Sequence, residues 1–475
     1  MFNLKQKQIG RFRQLCAAIV VNVLYLSVGF IVGWSSPTLP LLREDESILG
    51  GRSITVAEES WLGSLPYLGC FASTPFYSYI NQNFGRKSTG YVTVFCYFIG
   101  WSFIMTGNSI VYFYIGRLIL GMGLLGTGIV GTFYIGEISQ DDLRGTMGVI
   151  RGFAKQAGII TVYVMGTYLS VMNTAIVCTS FNLVFLFAFF YLPESPMFLL
   201  ERGKTKETFD SYLWFRGGDT QFAEQDVAKL STVVDSDKSR TKPSLREILS
   251  VSGTRKALII IAVLAVTQQF GGMTVIYGYC APIIELTGGD VPPHVASFVA
   301  SSVGMAMALL SCFISNIVGR KFILICTNAA MAILLISLGV YSYLKSLGMD
   351  VSSAGLLPVL CISVYCGFAI IGPFNMFYVI QPEICRPEAR GVAIMVASIF
   401  ASGFSFLSTK IYPYLVTYFH IYGSFWFFTA FCLTAIVFTF FYIPETRNRP
   451  LQSILHELND KNVVQRNAFS ESSSL

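Results

Sequence analysis

The sequence predicts an all-α integral membrane protein of twelve transmembrane helices arranged as two related six-helix halves. Three observations carry this. Hydrophobic residues make up 53% of the 475 and charged residues only 13%, with a mean hydropathy of +0.59, too apolar for a water-soluble chain of this length. Twelve apolar runs of roughly 18 to 25 residues punctuate the chain, each able to cross about 30 Å of hydrocarbon. Finally, the punctuation repeats about half a chain later. Gly85-Arg86-Lys87 returns as Gly319-Arg320-Lys321, Glu137 with Arg144 returns as Glu383 with Arg390, and Pro193-Glu194 returns as Pro444-Glu445.

The elements follow in order. Residues 1–14 carry Lys5, Lys7, Arg11 and Arg13 and read as a cytoplasmic N-terminus. The apolar run after them is a first transmembrane helix rather than a cleaved leader, because no small-residue cleavage site follows it and eleven more runs do. Residues 36–60 hold Glu44, Asp45, Glu46, Glu58 and Glu59 against Arg43 and Arg52, an acidic loop expected outside. Further runs begin near 61, 90, 111, 147 and 173 and complete a bundle over 15–192. Arg86 and Lys87 mark the second turn between runs and Arg144 the fourth, while the third and fifth carry no charge, so even-numbered helices end in the cytoplasm. Residues 193–256 hold 11 Lys/Arg and 10 Asp/Glu with helix-like patches such as KETFDSYLWF, as expected of a cytoplasmic linker with short surface helices. Six more runs begin near 257, 293, 322, 355, 391 and 421 and form the second bundle, 257–443. Its seventh-helix loop, with Glu285 and Asp290, belongs outside, and Arg320, Lys321 and Arg386 inside. The Ser-rich segment 444–475 reads as a disordered cytoplasmic tail.

Several function classes are set aside. The net charge of +6 is spread over short turns on one side of the membrane, which is topology rather than a nucleic-acid surface. The eleven cysteines lie mostly within apolar runs with no CxxC pair, and His294, His420 and His456 are too scattered to bind a metal. Gly121, Gly123 and Gly126 match a dinucleotide fingerprint but sit inside an apolar helix with no preceding strand. No catalytic carboxylate pair or triad is visible, and nothing in the pattern calls for a cofactor.

The ordered motifs carry a resemblance. GRK at 85–87, GR at 116–117, Glu137 to Gly145, PESP at 193–196, Gln268-Gln269, GRK at 319–321, Glu383 to Gly391 and PET at 444–446 resemble the sugar porter branch of the major facilitator superfamily. GWSSPTLPLL at 33–42, WLGSL at 61–65 and RGTMG at 144–148 are similar to its insect facilitated trehalose transporters. The resemblance implies alternating access by a carrier whose partners are a small sugar and the lipid bilayer.

The residues give the mechanism its parts. Arg86, Glu137 and Arg144, with Arg320, Glu383 and Arg390, sit at cytoplasmic helix ends, where ion pairs can bias a two-state gate or merely set topology. Gln268 and Gln269 are amides in an otherwise apolar helix 7, suited to sugar hydroxyls or to interhelical packing. The resemblance implies sugar contact for that pair. It also places Thr274 at the usual helix-7 asparagine, Gly152 at the usual helix-5 glutamine with Gln156 one turn deeper, and Tyr378, or with a shifted alignment Met376, at the usual helix-10 tryptophan. The Asp-Arg that precedes each GRK in the family is Gln82-Asn83 and Asn316-Ile317 here. Lys155 lies about 16 Å of helical rise beyond Arg144, where a lysine is costly unless it faces a wet cavity. That depth suggests a polar or anionic substrate, or a helix boundary shifted by one turn. Proton-coupled relatives carry an aspartate in helix 1 near the helix-4 arginine, here Arg117. This chain has Ile31 instead, which favours facilitated diffusion over symport. A non-transporting sugar sensor on the same fold is the alternative from another class. The plasma membrane is the family's default location.

Overall fold

The computed structural model describes residues 2–44, 49, 52–239, 245–386 and 389–459 and contains no strand among them. Nine helical stretches within these residues are long and apolar enough to cross a membrane. One is the 53-residue run Arg390–Tyr442, which His420 divides by adopting φ 58° and ψ 173°. Two further helices fall outside the nine: one is interrupted at Ser73, the other carries Arg151 and Lys155. The spans are α1 (Phe2–Gly33), α2 (Val56–Ala72, continued by Thr74–Asn83), α3 (Arg86–Thr106), α4 (Ile110–Ile129, continued to Ile138), α5 (Asp141–Tyr168) and α6 (Val171–Phe190). The second set is α7 (Ser252–Phe270, continued in two pieces to Thr287), α8 (Pro293–Ile317), α9 (Arg320–Ser346), α10 (Leu357–Ala369, continued to Ile384), α11 (390–419) and α12 (421–442). Large apolar side chains such as Phe95, Phe187, Phe190, Ile333 and Leu360 stand exposed on these helices, as a hydrocarbon solvent requires.

The chain forms two compact units. The first comprises Met1–Trp34, Glu46–Arg52 and Leu65–Thr241. In it α1 packs along α5 at a glycine crossing: a Cβ on Gly29 would sit 2.7 Å from the Gly158 Cα, so the two backbones touch where larger residues would hold them apart. The linker helices Pro196–Glu201, Thr205–Phe215 and Thr220–Ser239 belong to this unit. They are tied to α1, whose Arg13 and Gln14 donate to the carbonyls of Trp214 and Phe215 at 2.9 and 3.0 Å.

The second unit comprises Ser35–Asp45, Ser53–Ser64 and Lys242–Leu475. Its core joins Leu258, Ile261 and Leu264 of α7 to Leu324 of α9, Met376 and Ile380 of α10 and Ala397 of α11. The short helix Leu451–Asn459 adds Ile454 to that core.

Helix continuity fails at comparable places in both units. Wide-wound π turns interrupt α4 at Val130–Tyr134 and α10 at Ile370–Phe374, each ahead of the glutamate that ends its helix. Such turns mark sites where helical packing gives way to function. Helix α7 breaks at Gly271-Gly272, where Gly272 takes φ 97°, open to glycine at little cost.

Candidate functional site

The break in α7 organises the polar groups of the second unit. Gln268 and Gln269 end the first piece of the helix and Thr274 begins the next. The turn between them brings the Thr274 hydroxyl to the Gln269 side-chain oxygen, donating at 2.7 Å. Ser408 of α11 donates to the Gln269 backbone carbonyl at 3.1 Å, and the Tyr365 hydroxyl of α10 donates to the Gly271 carbonyl freed by the break. One buried acceptor remains: the Gln268 Oε1 has no hydrogen-bond donor among the described residues. A buried amide oxygen left open is costly unless a ligand hydroxyl or water meets it. The sequence carried a sign of this break in its paired glycines.

Tyr378 is 51% exposed on α10, edge-on to Phe374 and Phe377 with centroids 5.6 and 5.2 Å away, whereas Met376 is fully buried in the core. Of the two alignments, only Tyr378 presents a ring outside that core.

In the first unit, Gln156 is buried on α5 and Lys155 beside it is half-buried. Arg117 is 1% exposed, with Nη1 donating to the Ile31 carbonyl at 2.7 Å and the guanidinium 5.0 Å from the Trp34 ring centroid. Ile31 thus serves this arginine through its backbone oxygen.

The helix-end motifs form one four-part network in each unit. In the first, Arg86 reaches Glu137 through Nη2 at 2.7 Å and Nε at 3.1 Å, and Ser195 donates to the same carboxylate. Glu194 accepts from the backbone N–H groups of Lys87 at 3.1 Å and Ser195 at 2.8 Å, capping the start of α3. Burial pushes the Glu194 carboxyl above the usual carboxylate range, against the opposing pull of those N–H bonds. In the second unit Arg320 meets Glu383 at 3.1 Å, and Thr446 donates to that carboxylate at 2.6 Å. Glu445 caps α9 through the N–H groups of Arg320 and Lys321 at 3.0 and 3.2 Å. Arg86 and Glu137, and Arg320 and Glu383, are therefore brought together. Arg390 is exposed at the start of α11, and the side chain of Arg144 lies outside the described residues. Sequence reasoning missed the caps, Glu194 and Glu445, and the hydroxyls, Ser195 and Thr446. Their repeated Pro-Glu-Ser and Pro-Glu-Thr was the available signal.

A second cluster in the second unit joins Arg43 and Glu59, expected only as parts of an acidic loop, to residues of the helices. Glu59 pairs with Arg43 and accepts from the Tyr279 hydroxyl through its carbonyl at 3.3 Å. The Lys410 ammonium lies 3.6 Å above the Trp61 ring.

Comparison with known proteins gives a consistent picture. A family model described as sugar (and other) transporter matches residues 17–458. The facilitated trehalose transporter Tret1 of Apis mellifera ligustica is 28% identical over 93% of this chain and 87% of its own. The Tret1 proteins of Drosophila virilis and Drosophila mojavensis are 28% and 29% identical over 93% of this chain, which spans about half of their length, 48% and 51%. Among solved structures, the inward open conformation of the xylose transporter XylE from E. coli superposes with a TM-score of 0.76 at 18% identity, covering 93% of this chain and 99% of that one. The proton:xylose symporter XylE bound to 6-bromo-6-deoxy-D-glucose gives 0.75 at 19%, covering 95% and 100%.

Proposed function

The chain belongs to the sugar (and other) transporter family, with its twelve-helix major facilitator fold, and from that premise we propose that it carries a neutral sugar, trehalose or a hexose, by alternating access. The observation that carries this reading is the broken α7, whose open Gln268 oxygen awaits a hydroxyl donor while Gln269 and Thr274 are held in place beside it. Sugars offer hydroxyl donors and an apolar ring face, and Tyr378 supplies an aromatic surface for the latter. Gln156 and Lys155 are assigned to substrate contact within the first unit.

The helix-end networks are assigned to a cytoplasmic gate. Arg86 with Glu137, and Arg320 with Glu383, hold their helix ends in one state and release them in the other, with Arg144 and Arg390 as further members. Both termini and the linker 193–256 lie in the cytoplasm, between bundles 15–192 and 257–443, and the host membrane is the plasma membrane. Transport is facilitative, because the Arg117 guanidinium rests on the Ile31 carbonyl and the Trp34 ring rather than on an acid in helix 1. The chain is read as a carrier, not an enzyme.

The test is uptake of radiolabelled trehalose and glucose into liposomes holding the purified protein, with and without an imposed proton gradient. Saturable uptake that ignores the gradient is expected. Uptake that rises with the gradient overturns the uniport assignment, and folded protein that moves neither sugar favours a sensor on the same fold.

A further inference from the structure

Among the described residues in the interior of the first unit's membrane helices, every side chain that carries a charge at neutral pH is a cation. Its acids stand at helix ends, Glu137 being already held by Arg86 and Ser195. Two of the cations, Arg151 and Lys155, lie four residues apart on α5 and so share a face. That face turns toward α4 and α1. The Arg151 guanidinium reaches the Thr132 hydroxyl at 3.4 Å and stands 5.7 Å from the Tyr25 ring centroid, and both cations are half-buried. Beside them the helices leave room: a Cβ on Gly128 of α4, or on Gly148 or Gly152 of α5, would meet nothing among the described residues within 4 Å. One turn of α1 before Tyr25, Asn22 is buried with its side-chain oxygen unmet by any donor among the described residues. Two cations and an open space are thus placed together inside one unit, with an unmet amide acceptor one helical turn from Tyr25.

Resting on the reading of the chain as a sugar carrier, we infer that Arg151 and Lys155 form an anion subsite. The chain then accepts, beyond neutral sugars, a sugar bearing a carboxylate, and binds it more tightly than its neutral counterpart. The physical reason is the surroundings. Cations at membrane depth are tolerated where they face water and an anionic partner, and a charge-assisted hydrogen bond is roughly twice as strong as a neutral one. The open acceptor on Asn22 suits the hydroxyl-rich body of the same solute.

Glucose and glucuronate share a ring and differ by one carboxylate, so they isolate the effect. Their dissociation constants are measured on the purified full chain by intrinsic tryptophan fluorescence at pH 7, with glucose and glucuronate uptake into liposomes as a parallel arm. The wild-type protein is expected to bind glucuronate about tenfold or more tightly than glucose, a preference that shrinks between low and high salt. Lys155→Gln and Arg151→Gln are each expected to bring the ratio of the two constants toward one, whereas Arg151→Lys retains most of it. A wild-type protein that binds the two equally, or favours glucose, overturns the inference without need of any variant. In that case continued glucose uptake leaves the carrier reading standing. Glucuronate uptake without glucose or trehalose uptake would instead overturn the neutral-sugar assignment and support the anion subsite. A preference indifferent to salt and to all three variants removes Arg151 and Lys155 from the explanation.

Discussion

The two helix-end networks are built from the same four kinds of residue, yet they differ in depth. In the first unit the Arg86 and Glu137 side chains are 8% and 15% exposed. The guanidinium makes a two-point contact and lies 5.9 and 5.5 Å from the ring centroids of Phe133 and Phe198. In the second, Arg320 and Glu383 are 14% and 28% exposed and meet at 3.1 Å, and the Arg320 Nε has no acceptor among the described residues. The glycine before each arginine differs too, Gly85 at φ 96° and Gly319 at φ −64°. A motif repeated in sequence therefore need not be repeated in energy. What an ion pair contributes depends on how completely its members have left water, and on what remains when one of them is removed.

The sharpest way to break this comparison is to strand each arginine in turn. Glu137→Ala leaves Arg86 buried against two rings and is expected to cost about 3–5 kcal/mol, with a large fall in melting temperature in detergent and loss of uptake. Glu383→Ala should cost less, about 1–2 kcal/mol, because Arg320 has more access to water; each arginine keeps one backbone carbonyl, Ser315 at 2.9 Å for Arg320 and Asn81 at 3.3 Å for Arg86. Equal losses in the two variants would mean that exposure does not set the difference. Next comes Gly85→Ala, expected to lower stability by about 1–3 kcal/mol. The new methyl would enter the left-handed region and press on the Glu194 carboxylate at 2.6 Å. In Gly319→Ala only the crowding against Glu445 remains, so its loss should be the smaller of the two.

The smallest expected effect concerns pH. The Glu194 carboxyl is raised by burial, so its ionisation opposes folding. Its contribution to stability is full below the ordinary carboxylate range and is lost as pH rises through the raised value. Glu194→Gln removes this ionisation while keeping an acceptor for the Lys87 N–H. Relative to wild type, the variant should gain stability from pH 5 to pH 7 by a fraction of about 1 kcal/mol, read as a difference in melting temperatures.

Much of this architecture was legible before any coordinates. Twelve spans follow from apolar run length, and the gathering of Arg86, Glu137, Arg320 and Glu383 at helix ends was visible because acid and base recur there, but which base each acid takes was not. The shared neighbourhood of Gln268, Gln269 and Thr274 was implied by resemblance, yet the hydrogen bond that joins Gln269 to Thr274 depends on a left-handed residue at Gly272, at which the paired glycines hint and which the backbone geometry shows. Cross-chain contacts were illegible for a different reason. Glu445 capping α9 from more than a hundred residues away left only the repeat of its Pro-Glu motif as a signal, and Lys410 over Trp61 left no local pattern. The π turns in α4 and α10 leave no mark in apolar periodicity, since one extra residue in a uniformly apolar helix changes no composition.

The bonds from Arg13 and Gln14 to the linker helix have a consequence for biosynthesis. The side chains and the carbonyls they meet are 201 residues apart. At about 5–20 residues per second, the N-terminal end of α1 waits roughly 10–40 s between leaving the ribosome and meeting its partner. During that interval five more helices enter the bilayer while the Gln14 amide has no native acceptor. The first unit therefore matures only after its last span has been inserted, when a segment made outside the membrane returns to close over the first.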